Sequence, residues 1–95
     1  MIPSRLKTAR LRANLTQEKL GVMAGIEEAT ARSRISQYES GVHRPTFEMM
    51  CAFAKVLNVP EGYFYTVDDA FAEQLLVVYE VWNLNENHFK PPNSV

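Results

Sequence analysis

The sequence predicts an all-α protein built as one compact unit. Three observations carry that expectation. No run combines period-two alternation with β-branched enrichment, so no strand is expected. Apolar residues recur instead at three- and four-residue spacing. Helix-starting Ser, Thr or Asp precede most of these runs, and Gly or Asn follow several of them. A chain of 95 residues fits a single domain and buries a modest core.

Each element follows in order. Pro3-Ser4 opens the first helix, with Ser4 as the expected N-cap. Leu6, Ala9 and Ala13 form its inner face, and Asn14 is a left-handed stop. Thr16 caps the second helix, and Glu18 suits its positive end. Leu20 and Ala24 face inward. Gly25 ends this helix, and Ile26 follows as an apolar plug. The third helix is expected from Glu28 to Ser40, with Ile35 and Tyr38 inward and Gly41 as its stop. Val42 to Pro45 is a loop. Thr46 caps a fourth helix to Leu57, with Phe47, Met50, Phe53, Ala54 and Leu57 on one face. Asn58-Val59-Pro60 turns the chain into a short helix, Glu61 to Tyr65. A last helix begins near Asp68 and Asp69 and runs to Asn83 or Leu84. His88 to Val95 is expected to be a loose tail.

Composition narrows the function classes. The hydrophobic fraction of 46% and charged fraction of 22% are ordinary for a soluble protein. No apolar run has the length of a membrane span, and the first residues lack the apolar core of a signal peptide, so a cytoplasmic protein without membrane contact is expected. Cys51 has no second cysteine with which to pair. His43 and His88 lie outside any metal-ligand spacing. No catalytic arrangement, cofactor motif or metal site is expected. The net charge of −1 conceals an asymmetry. Residues 1–44 hold eight basic and four acidic residues, whereas residues 45–95 hold two basic and seven acidic. That division suits a module facing a polyanion, joined to one facing solvent.

The span Leu6 to Tyr65 carries an ordered series of residues. Thr16-Gln17-Glu18-Lys19-Leu20 starts helix two, and Gly25-Ile26 marks the turn. Ile35-Ser36-Gln37-Tyr38-Glu39-Ser40-Gly41 ends helix three. Arg44-Pro45-Thr46 opens the next helix, and Ala54-Lys55-Val56-Leu57-Asn58-Val59-Pro60 closes the series. This series resembles the lambda repressor-like (XRE) helix-turn-helix regulators. The resemblance implies a five-helix DNA-binding domain over residues 1–66, with residues 67–87 as an additional C-terminal helix and 88–95 as the tail. Gly21 is then the small residue where helices two and three approach closely.

It also implies that helix three enters the major groove of double-stranded DNA. Arg32, Ser33, Arg34 and Gln37 are the implied base contacts, with arginine suited to guanine and glutamine to adenine. Thr16, Gln17, Ser36, His43 and Arg44 are the implied backbone contacts. Arg10 and Glu39 are expected to form an internal ion pair. Arg5, Lys7 and Arg12 are expected at solvent or phosphate. The chain departs from the family pattern between Gly25 and Ile35, where four extra residues stand. Four residues make about one helical turn. Helix three starts a turn early, or else the connecting turn is longer and Thr30 becomes the N-cap.

The last helix carries two stripes. Phe71, Leu75, Val78 and Trp82 form one, and Ala72, Leu76 and Tyr79 the other. Together they are wider than one packing face needs. The first is the expected homodimer interface, which would make a repressor reading a pseudo-palindromic operator. The alternatives are a protein-interaction module on the same fold and an antitoxin, the latter contacting a toxin partner through residues near 84–95.

Overall fold

The computed structural model describes residues 1–85, and the expected tail, 88–95, lies outside them. Five α-helices and a 3₁₀ turn follow one another without a strand among the described residues: α1 (Pro3–Arg12), α2 (Gln17–Met23), α3 (Glu28–Ser40), α4 (Phe47–Leu57), the 3₁₀ turn (Glu61–Tyr65) and α5 (Asp69–Leu84). None of these helices is long and apolar enough to cross a membrane.

Local chemistry sets most boundaries. Thr16 accepts a hydrogen bond from the Lys19 amide, Thr46 from that of Met49, and Asp68 from that of Phe71. Each is an N-cap satisfying an amide that has no intrahelical partner. Gly41 adopts φ +80° beyond α3, and the Val42 amide donates to the Gln37 carbonyl. This is the left-handed closure that favours glycine. Asn14 and Asn58 take the same conformation after α1 and α4.

Three expectations are corrected. Ser4 does not cap α1; the helix begins at Pro3, with Ile2 extended before it and no side-chain cap. The Ile2 amide donates to the Phe64 carbonyl, so the 3₁₀ turn decides where α1 starts. Proline suits this first position, having no N–H to leave unpaired. Ala13 lies after α1 and is exposed. Phe47 shares the expected row of α4 but stands in its first turn, 61% exposed, beyond the part of that row which the core covers.

The core gathers Leu6, Leu20, Ile35, Met50, Phe53, Tyr63 and Phe64, all fully buried. Tyr38 meets Phe53 edge-on at 6.0 Å between ring centroids, and Tyr63 meets Phe64 at 5.7 Å. α5 lies against this core through Ala72, with Leu76 partly buried beside it.

A fourth correction concerns charge. Arg5 is buried rather than facing solvent or phosphate. Its guanidinium donates to the Thr66 and Val67 carbonyls, pairs with Asp69 at 2.8 Å and lies over the Tyr63 ring. Arg12 pairs with Glu73 on the surface. Two of the basic residues in the first half therefore answer acidic residues of α5. Part of the charge asymmetry is the fastening of α5 to α1.

Candidate nucleic-acid interface

α3 buries Ala31, Ile35 and Tyr38, a row at four- and three-residue spacing. At 100° per residue, the opposite face runs through Ala29, Ser33, Ser36 and Ser40. Arg32 flanks it on the side of α2, and Thr30 and Gln37 on the other. All seven are exposed. The helix begins at Glu28, which settles how the four extra residues are used. The connection from α2 stays short, through Gly25, Ile26 and Glu27. Gly25 turns it with φ +98°, and the Ile26 amide donates to the Gly21 carbonyl at 2.9 Å. The extra residues are a turn of helix, not of loop, and Thr30 is not a cap.

Gly21 explains how that turn is held. A Cβ placed there would lie 2.7 Å from the Ala31 Cβ and 3.1 Å from its Cα. Only glycine opposite alanine allows this approach of α2 and α3. Ala31, fully buried, belongs to the extra segment.

A polar cluster fixes the other end of α3. Arg10 Nε donates to Glu39 Oε2 at 2.6 Å, and Arg10 Nη2 to Glu39 Oε1 at 3.1 Å. Arg10 also donates to the Leu15 carbonyl, and Gln17 Nε2 to Glu39 Oε1. The Glu39 carboxylate thus joins α1, α2 and α3. Both side chains of the ion pair are over nine-tenths buried. Such a pair needs its partners to offset desolvation, and here each charge has several.

The candidate residues differ in their freedom. Arg32 and Gln37 are exposed, and no side chain among the described residues pairs with either. Arg32 lines an open hollow with Thr16, Gln17 and Glu18, which brings it beside the start of α2. Ser33 donates to the Thr30 carbonyl and keeps its oxygen as an acceptor. Ser36 is exposed on the same face. Arg34 folds along the helix, donating to the Tyr38 hydroxyl at 2.6 Å, its guanidinium 5.7 Å from that ring's centre. It stands apart from the Arg32–Ser33–Gln37 group. Gln17 gives one N–H to Glu39 and retains the other. His43 and Arg44 are exposed in the loop after Gly41, where the His43 amide donates back to the Gln37 carbonyl at 3.3 Å.

On α5, Phe71, Val78 and Trp82 are all more than half exposed and Leu75 is partly buried, while Ala72, Leu76 and Tyr79 turn inward. Among the described residues no cluster of His, Cys, Asp or Glu is arranged to hold a metal. Arg5 is what reading along the sequence missed. Its hydrogen-bond and ion-pair partners lie more than sixty positions away, and its spacing within α1 carries no sign of them.

No curated protein matches the chain. Among solved structures it is similar to the transcriptional regulator BswR, with 36% sequence identity and a TM-score of 0.81 over 92% of this chain and 94% of that one. Residues 6–64 match the family model described as helix-turn-helix. The chain belongs to the helix-turn-helix family, among its lambda repressor-like members.

Proposed function

We propose that the protein is a sequence-specific double-stranded DNA-binding regulator that works as a homodimer. The observation that carries this reading is the outward face of α3. It presents the side chains of Arg32 and Gln37 with no side-chain partner among the described residues, on a helix held rigidly at both ends. Unpaired donors and acceptors on a fixed scaffold suit direct reading of base edges. The similarity to a structure described as a transcriptional regulator supports the same conclusion.

Arg32 takes guanine, Gln37 takes adenine, and Ser33 contributes a shorter contact. Arg34, already leaning on Tyr38, reaches phosphate more readily than a base. Thr16, Gln17, Ser36, His43 and Arg44 position the domain on the backbone without reading sequence. The apolar stripe Phe71, Leu75 and Val78, continued by Trp82, closes a two-fold dimer, which sets two copies of α3 about 34 Å apart on a pseudo-palindromic site. Occupancy of such a site is enough to exclude a competitor, so repression is the simplest outcome. A DNA-reading role of this kind calls for no catalysis and places the protein with the chromosome in the cytoplasm.

Selection from random duplex DNA tests this reading. Wild-type protein is expected to enrich a two-fold symmetric motif, with binding that weakens steeply as salt rises. Arg32→Ala and Gln37→Ala should each relax one position per half-site, by about 1–3 kcal/mol. A protein that enriches nothing and binds indifferently to salt would instead be an interaction module on the same fold.

A further inference from the structure

We propose that α1 fixes the angle at which α5 leaves the domain, and that Arg5 and Arg12 are thereby positioning residues for the half-site spacing of a dimer. This rests on the homodimeric DNA-binding reading above. Apolar packing alone leaves that angle loosely defined. Of α5, only Ala72 is fully buried, and from Glu80 onward every residue of the helix is exposed. Hydrophobic contact is non-directional, so a helix seated on one alanine pivots about it. About 15 Å of helix separates Ala72 from Trp82 in the proposed dimer stripe. A tilt of about 10° at Ala72 displaces Trp82 by about 2.6 Å. Applied in both copies, that amounts to one or two base pairs at about 3.4 Å each.

Two directional contacts remove this freedom. Arg5 holds the linker itself, donating to the carbonyls of Thr66 at 2.9 Å and Val67 at 3.2 Å. These two residues join the 3₁₀ turn to Asp68, the cap of α5. The same guanidinium pairs with Asp69 at 2.8 Å and lies 5.7 Å from the centre of the Tyr63 ring. A guanidinium is a planar fork, so these contacts fix direction as well as distance. Arg12, two turns along α1, donates to both Glu73 oxygens, at 3.0 and 3.1 Å. Asp69 and Glu73 stand one turn apart on one flank of α5, with Ala72 between them in sequence. One such contact would leave a pivot, whereas two set an angle. Arg10, between the two arginines on α1, grips Glu39 at the end of α3. α1 therefore ties the reading helix and the dimer helix to one rod.

The competing roles are stability alone, or a phosphate contact by Arg12. The Arg12–Glu73 pair separates them, because both partners are about half exposed and such a pair adds little stability. The full chain is titrated onto the selected operator, and onto copies with one base pair added to or removed from its centre. Wild type is compared with Arg12→Ala, Glu73→Ala, Arg12→Lys and the exchange of Arg12→Glu with Glu73→Arg. Wild type should lose about tenfold in affinity at either changed spacing. Arg12→Ala and Glu73→Ala should each reduce that loss to about threefold or less, with half-site sequence, thermal midpoint and dimer unchanged. Arg12→Lys and the exchange should restore it. If Arg12→Ala weakens all spacings alike and Glu73→Ala weakens none, Arg12 contacts phosphate. If every variant keeps the wild-type spacing penalty, the pairs are only structural. Either result overturns the inference and leaves the DNA-binding dimer standing. A wild type that sediments as a monomer and enriches no two-fold motif removes the dimer reading, and the inference with it.

Discussion

α3 buries Ala31, Ile35 and Tyr38 and turns a polar face outward, whereas α5, three residues longer, buries only Ala72 fully and leaves Phe71, Val77, Val78, Val81 and Trp82 more than half exposed. The two helices exceed the needs of the core in opposite ways. α3 carries more polar groups than solubility requires, on a frame fastened by Gly21 and Glu39. α5 carries more apolar surface than one contact with the core can cover. Surplus polar groups on a rigid helix suit recognition by hydrogen bonds. Surplus apolar area suits association, since exposed apolar patches of this kind mark interaction surfaces.

The fastening of α3 gives the largest test of that contrast. Arg10→Ala leaves the Glu39 carboxylate buried without its main partner, and a loss of about 3–5 kcal/mol is expected in urea unfolding. A loss below about 1 kcal/mol would mean that α3 does not depend on this cluster. Disturbing α5 should act elsewhere. Val78→Glu puts a charge into the exposed stripe while leaving the core contact at Ala72 intact. Sedimentation should then show a monomer of near-normal stability. Affinity for a full operator should fall on the order of 10²-fold, as two linked sites become one. An unchanged oligomeric state would remove the stripe from the interface.

Gly21→Ala probes the other anchor of α3. With Ala31 backbone in the way, the added methyl forces the two helices apart, and a cost of about 2 kcal/mol is expected. Adding Ala31→Gly should restore part of it, because the closest contact is with the Ala31 Cβ. The smallest effect belongs to Tyr63, which sits beneath α5. Its hydroxyl is buried with no hydrogen-bond partner among the described residues, and burial raises its pKa above the ordinary tyrosine value. Arg12 pulls that value down and Glu73 pushes it up. Tyr63→Phe removes the desolvated hydroxyl, and thermal unfolding should show a gain of about 1 kcal/mol. The raised pKa also has a sign. The contribution is complete below the unfolded-state value near 10, and it is lost as pH rises through the folded-state value. Wild-type stability should therefore decline in strongly alkaline solution, and Tyr63→Phe should flatten that decline.

The candidate interface was legible as far as its chemistry is local. Ile35, Tyr38 and Gly41 place the inner row and the end of α3, and the family resemblance, counted from them, implies Arg32, Ser33 and Gln37. Adjacency in sequence puts Arg34 with that group. Its hold on Tyr38 appears only once the guanidinium is seen folded along the helix. Gln17 likewise looked free for phosphate, yet half of its donor capacity goes to Glu39 across another helix.

Residues acting within a turn or two of themselves were determined by the sequence alone. Thr16, Thr46 and Asp68 start helices because each side chain reaches an amide three positions on. Gly25 and Gly41 turn the chain because they lack a Cβ, and the apolar spacing sets the phase of each helix. Tertiary structure decided whatever depends on a neighbour distant in sequence. It moved the start of α1 to Pro3 through the Phe64 carbonyl. It drew Arg5 onto Thr66, Val67 and Asp69, and it chose a longer helix over a longer turn by seating Ala31 on Gly21. Periodicity states which residues share a face, but whether that face meets core, solvent or another molecule depends on what the rest of the chain brings against it.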